Sequence, residues 1–309
     1  MRGITKRLPP ALLLAVVSAF SLSFSSPLRA EEKEAPSDKE STGAAVEPAF
    51  RAAVWKPVFQ GVDLAEITAP KPRPIRAQVL RVDLAAPGVR LLATPDNGEA
   101  PGETTSQFTS SFLKAWRCQA AVNAAPFDKV YALEGLPEDI VGLQISDGKV
   151  VSPASSHPAL LQMKDGTLRI SAPPFPLEEI SQAVCGFQII LKNGKSIATD
   201  TKLHPRTGAA ISGDGKTLWL LTVDGRQAGY SEGCTTVEMG TWFTAMGATD
   251  AINLDGGGTT TMVMADAQGN PKVINRPIQL GIPGRERPSG SHLGVFANPL
   301  SKAGNSKSD

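Results

Sequence analysis

The sequence predicts an α+β protein: one domain with a large mixed, mostly antiparallel sheet and a few packed helices. Three observations predict it. Asp147-Gly148, Asp165-Gly166, Asn193-Gly194 and Asp214-Gly215 each separate short apolar runs. Such pairs suit type I′ hairpin turns, whose two central residues both take positive φ. Leu218 to Val223 is the strongest strand pattern in the chain, by its run of large apolar residues. A helical stretch and a second apolar run, Ala251 to Leu254, follow it. Strand, helix and strand in that order are expected to lay the two strands parallel in one sheet.

Taken in order, the chain starts with Arg2, Lys6 and Arg7, an uncharged apolar run from Ala11 to Phe24, and Arg29-Ala30 before Glu31-Glu32. Basic start, apolar middle and small-residue end are the plan of a secretory signal peptide, assigned to 1–30. The apolar run is short for a membrane span, so no stable membrane insertion is expected after cleavage, and the protein is read as secreted or periplasmic. Residues 31–51 are charged and rich in Ser, Pro and Ala, a composition that buries too little to order itself; they are read as a disordered linker. Residues 52–298 form the domain, and 299–309 a disordered tail.

Within the domain, Arg76 to Leu84 alternates with one slip, and Val89 to Ala93 reads as its hairpin partner across Ala-Pro-Gly. Phe108, Phe112, Leu113 and Trp116 recur at helical spacing, with Thr104, Thr105 or Ser106 as the cap. A strand from Ala120 to Val122 exits through Asn123 into small residues. Thr235 and Glu238 have capping-box spacing ahead of a helix over Val237 to Met246, with Gly247 as its stop.

Composition excludes some classes. With 31 basic and 30 acidic residues the net charge is +1, which argues against a nucleic-acid partner. Cys118, Cys185 and Cys234 allow one disulfide with a thiol left over, or three buried thiols. With no CxxC pair and histidines only at 157, 204 and 292, a zinc site of usual spacing is not expected.

The residues that point to chemistry cluster at strand exits: Asn123, His204-Pro205-Arg206-Thr207, Asp224-Gly225-Arg226, Asn253-Leu254-Asp255-Gly256-Gly257-Gly258, and Asn275-Arg276-Pro277 with Arg285-Glu286-Arg287 behind. Three glycines let backbone amides approach a ligand and form a nest for an anion. Arginine offers a fork of donors matched to phosphate or carboxylate. Two carboxylates near an arginine suit acid–base or nucleophilic work at a glycosidic carbon. Gly229-Tyr230-Ser231-Glu232-Gly233 matches the G-x-S-x-G elbow, with Asp255 and His292 following in serine-hydrolase order. An elbow needs its serine directly at the strand end, however, and Asp224 to Tyr230 intervene here.

Taken together, these stretches resemble the phosphodiester glycosidase family, most specifically at Asn253-Leu254-Asp255-Gly256-Gly257-Gly258-Thr259-Thr260. Two positions depart from the family's usual pattern. Ala124-Ala125-Pro126-Phe127 stands where relatives place two glycines and an aromatic, and Thr259 stands for a serine. The resemblance implies hydrolysis of a sugar-1-phosphodiester at the anomeric carbon of a phosphorylated carbohydrate or glycoconjugate. It implies Asp255 as the first-choice carboxylate and Asp224 as the second. Arg206, Arg226 and Arg276 would clamp the phosphate, with the amides of Gly256, Gly257 and Gly258. Asn123 and Asn253 would bind sugar hydroxyls or orient the carboxylates, and Thr259 keeps the hydroxyl. His204 would protonate or hydrogen-bond the leaving phosphate. No cofactor is required; a divalent metal such as calcium is compatible. Two other readings use the same residues: a non-catalytic module that binds anionic polysaccharide, and a metal-dependent phosphoesterase with Asp224 and Asp255 on the cation.

Overall fold

The computed structural model describes residues 38–300. The export signal expected over 1–30 and nearly all of the tail expected over 299–309 lie outside the described residues. The remainder is one compact unit, built as stacked layers.

An eight-stranded sheet forms the centre, and every adjacent pair in it is antiparallel. The strands Ile75–Asp83 and Thr217–Val223 sit side by side in its middle. Their side chains alternate between two cores. Leu80, Val82, Leu218 and Leu220 face one core, while Ala77, Val79, Trp219, Leu221 and Val223 face the other. Burial on both faces is why these runs read as nearly continuous apolar stretches. Two five-stranded antiparallel sheets contribute Leu160, Val184, Val122 and Leu293 to the first core. Helices α1 (Asp38–Arg51) and α3 (Thr236–Ala245) close the second core. Helix α2 (Thr109–Trp116) packs Phe112 and Leu113 on the outer face of the sheet containing Ala120–Asn123. The fold is α+β, as expected.

All four Asp-Gly and Asn-Gly pairs join antiparallel neighbours. Both central residues take positive φ at Asp147-Gly148 and Asn193-Gly194, whereas only the glycine does at the other two. The strands Thr217–Val223 and Asp250–Asn253 do run parallel, with Arg206–Ile211 between them. The capping box forms: Thr235 Oγ1 accepts from Glu238 N at 3.0 Å, and Thr235 N donates to Glu238 Oε2 at 2.8 Å.

Three expectations are corrected. The linker expected over 31–51 is helical from Asp38. Val46 and Phe50 are 1% exposed, and Phe50 stacks on Trp242 with ring centroids 4.5 Å apart. Two apolar residues one helical turn apart supplied that anchor inside an otherwise polar segment. Second, Ile75–Asp83 and Arg90–Ala93 do not pair. The first joins Val62–Ala69 and Thr217–Val223, and the second joins His292–Phe296 in another sheet. Their shared apolar pattern reflects membership of one core, not adjacency. Third, α2 begins after Phe108 with no side-chain cap of its own. Thr104–Thr105 instead pairs with Pro137–Glu138, and Glu286 caps the helix from afar: Ser110 N donates to Oε1 at 3.1 Å and Ser110 Oγ to Oε2 at 2.6 Å. Cys118, Cys185 and Cys234 are all buried thiols. Among the described residues no helix is long and apolar enough to cross a membrane.

Candidate active site

The strand order gathers the chemistry at one sheet edge. Thr217–Val223 and Asp250–Asn253 end where Arg206–Ile211, lying between them, begins: Arg206 pairs with Val223, and Gly208 with Asn253. The residues just beyond those ends therefore converge. A cleft of about 230 Å³ opens there, lined by Phe187, His204, Arg206, Arg226, Asn253, Asp255, Gly256, Gly257 and Arg287 among others.

Asp255 is the carboxylate of this cleft. Its backbone is held from two layers. Asp255 N donates to Ala124 O at 2.9 Å, and Asn123 Nδ2 donates to Asp255 O at 2.7 Å. Asn123 Oδ1 accepts from Thr207 Oγ1 at 2.7 Å and from Thr261 N at 3.1 Å. Asn123 is fully buried, so it positions the turn and does not reach a ligand. The buried Thr259 hydroxyl sits 2.6 Å from Asp255 Oδ2 and orients it. Burial pushes the Asp255 carboxyl up to about 6, against the Thr259 hydroxyl, the Gly256 amide and the Arg287 cation, which favour the anion.

Two cations line the cleft with it, Arg226 and Arg287, and Arg287 is the one that acts on its charge. Arg226 Nη2 lies 3.2 Å from His204 Nδ1; that bond needs Nδ1 unprotonated and so puts the imidazole proton on Nε2. A Cβ on Gly257 would sit 3.3 Å from the Arg226 guanidinium, and on Gly258 it would sit 2.4 Å from Arg287. A Cβ on Gly258 would force Arg287 to shift, while one on Gly257 would press on Arg226. Arg287 Nε donates to Gln279 Oε1 at 2.7 Å. Burial lowers the His204 pKa, and the Arg206 and Arg226 charges lower it further.

Other expected site residues are placed differently. Arg206 lines the cleft, but its guanidinium is committed to Asp200 Oδ2 at 2.7 Å, Lys202 O at 2.9 Å and Cys234 O at 3.3 Å. Asp224 is 1% exposed and is absent from the cleft lining. Its Oδ1 accepts from Asn275 Nδ2 at 2.9 Å and Arg276 N at 3.0 Å, and Oδ2 lies 3.4 Å from Tyr230 Oη. Arg276 is outside the cleft lining too, its guanidinium 4.7 Å from the Tyr230 ring. The amide of Gly257 donates to Pro205 O at 2.9 Å and is not free for an anion. Asn253 lines the cleft, with Oδ1 buried and unpartnered among the described residues. Thr259 stands behind Asp255, not in the cleft lining. Asp255 lines the cleft and Asp224 does not, and among the described residues no group of three His, Cys, Asp or Glu is placed for a metal.

Ala124 and Ala125 are fully buried behind Asp255 and are not in the cleft lining, so the departure at these positions does not alter the cleft surface. Ser231 is buried, donating to Asp224 O at 2.6 Å and accepting from Arg76 N at 3.0 Å. His292 is buried against Phe112. No serine-hydrolase triad forms. One cleft residue escaped the sequence reading, Phe187, 46% exposed at the rim; Arg287 was named there without a role. The Arg285-Glu286-Arg287 run was the available signal for Arg287; a lone Phe after Gly186 gave none for Phe187.

The comparisons agree with this architecture. The zebrafish N-acetylglucosamine-1-phosphodiester α-N-acetylglucosaminidase catalytic domain, auto-inhibited by its pro-peptide, superposes with a TM-score of 0.58 at 21% identity, covering 79% of this chain and 85% of that one. A Burkholderia pseudomallei protein, provisionally described as exported, gives 0.54 at 16% identity, covering 75% of each chain. At such identities the likeness is one of fold. No curated protein matches the sequence. A family model for phosphodiester glycosidases matches residues 117–296 of the 309, a span that holds the cleft residues from Phe187 to Arg287. On that match, over more than half of its length, the chain belongs to the phosphodiester glycosidase family.

Proposed function

We propose that this chain is an exported hydrolase that cleaves a sugar-1-phosphodiester at the anomeric carbon. The observation that carries the reading is the meeting of one aimed carboxyl, Asp255, with two cations, Arg226 and Arg287, in a single cleft. Water supplies hydroxyl to C1, the C1–O bond to phosphate breaks, and the water's remaining proton passes to the departing phosphate. The products are free sugar and a phosphomonoester. Asp255, as the anion, stabilises or captures the oxocarbenium character that develops at C1. Arg226 and Arg287 hold the phosphate and favour its departure with the bond's electron pair. The proton on His204 Nε2 is a neutral hydrogen-bond donor to a phosphate oxygen. A phosphomonoester is a good leaving group, so a strong general acid is not required. Phe187 offers an apolar rim to the sugar ring. Arg206 and Asn123 brace the two loops. An apolar run after a basic start at the N-terminus supports export.

The test is incubation with N-acetylglucosamine-1-phosphate esterified to a simple alcohol, with free sugar, phosphomonoester and inorganic phosphate each quantified. Equal amounts of sugar and monoester are expected. Inorganic phosphate as the first product would replace this reading with a phosphatase.

A further inference from the structure

Beside the cleft lies a second cationic feature that the reaction does not use. Arg76 and Arg276 each place the guanidinium carbon 4.7 Å from the centroid of the Tyr230 ring. Both arginines are exposed. Neither guanidinium has an ion pair or hydrogen bond among the described residues, although six ion pairs occur elsewhere. Two like charges held around one ring repel each other, and cation–π contacts at an exposed site offset that repulsion only weakly. The arrangement is nonetheless built. Tyr230 Oη lies 3.4 Å from Asp224 Oδ2, and Arg276 N donates to the same carboxylate. Arg76 N donates to Ser231 Oγ, and Gln227 Nε2 to Arg276 O at 2.9 Å. Asp224 is buried beneath, while Arg76 and Arg276 are exposed.

The platform and the cleft share one loop. Arg226 enters the cleft and Tyr230 carries the platform, four residues on. Their Cα atoms are at most about 14 Å apart by chain reach. We infer that Arg76, Tyr230 and Arg276 form a second anion subsite, which takes the next phosphate of a glycan chain whose first phosphodiester sits at Asp255. The substrate class is then a polymer with repeated phosphodiesters, not a singly phosphorylated glycoconjugate. The inference rests on the glycosidase reading for the bond cleaved, and on this geometry alone for the second subsite.

Titration calorimetry on the full chain carrying Asp255→Asn separates the two. The probes are methyl N-acetylglucosamine-1-phosphate and a trimer of N-acetylglucosamine-1-phosphate joined by phosphodiesters. The trimer is expected to bind about tenfold more tightly, as one further pair of charge-assisted bonds allows. Adding Arg76→Gln with Arg276→Gln should bring the ratio to about one. Arg276→Gln alone, whose backbone bonds to Asp224 persist, should give an intermediate ratio. Equal binding of both probes, no binding of either, or a trimer preference that survives the double substitution overturns the subsite. Turnover by the unsubstituted chain is measured separately. Failure to release sugar counts against the glycosidase reading and leaves the binding ratio to decide the subsite.

Discussion

A carboxyl whose ionisation lies near 6 divides its time between two forms at ordinary pH, and Asp255 is such a group. In the proposed reaction it acts as the anion. kcat/KM should therefore climb roughly tenfold per pH unit below about 6 and level off above it. Asp255→Asn should lower kcat by about a thousandfold and erase that limb, with the circular dichroism spectrum unchanged. A surviving limb would assign it to another group. Gly258→Ala checks the facing cation: the new methyl would meet Arg287 Nη2 and Gln279 Oε1, both at 2.4 Å. These are ends of side chains, so the fold should hold while Arg287 is displaced, and KM for the diester should rise about tenfold. An unchanged KM would remove Arg287 from phosphate binding. At this scale the sequence exposed Asp255 because a glycine run beside an acid is a local signal. It misplaced Asp224, because Asp-Gly-Arg reads the same whether its carboxylate meets a ligand or its own Asn275. Arg287 was named but given no role: Gln279 and the Glu286 contact with α2 aim it, and neither is visible in local pattern.

Asp224 binds elements together. It fastens the segment Asn275-Arg276 to the end of the strand Thr217–Val223. Asp224→Ala would leave buried donors unpaired and should cost about 2–3 kcal/mol in urea unfolding. It should also free Arg76 and Arg276 from their shared ring. A loss below about 0.5 kcal/mol would mean that water replaces the carboxylate without penalty. Elements were legible where signals were local: the Asp-Gly and Asn-Gly hairpins, the Thr235–Glu238 cap, the strand from Thr217. Strand partners were not. Two neighbouring apolar runs, Ile75–Asp83 and Arg90–Ala93, separate into different sheets because each finds a better-matched partner far along the chain.

Across the molecule, buried titratable groups act in opposite directions. Burial raises Glu138 to about 7, and Asp224 and Asp255 to about 6, from ordinary values near 4. Between about pH 4 and 6 the folded chain keeps these protons while the unfolded chain loses them, so folding weakens as pH rises. Burial also lowers His292 to about 3. Below about 6.5 the unfolded chain gains a proton that His292 refuses, which weakens folding as pH falls. His204 is lowered too, and Glu286 is raised, so the raised acids outnumber the lowered histidines. The Tm should be higher at pH 5.5 than at pH 7.5. A lower Tm at pH 5.5 would show that the carboxyls are better solvated than their burial implies. The class of the whole fold was legible from its turns. Its layering was not, because which two sheets share a core is decided by contacts between distant runs.

The stacking of Phe50 on Trp242 has a practical consequence. Trimming the chain to begin at Ala52, where composition draws the border, would strip an indole and its neighbours of their roof. Such a preparation should self-associate and light up an apolar dye at concentrations where one beginning at Pro36 stays monodisperse. An expression strategy for this enzyme therefore turns on a helix that looks, residue by residue, like packing material.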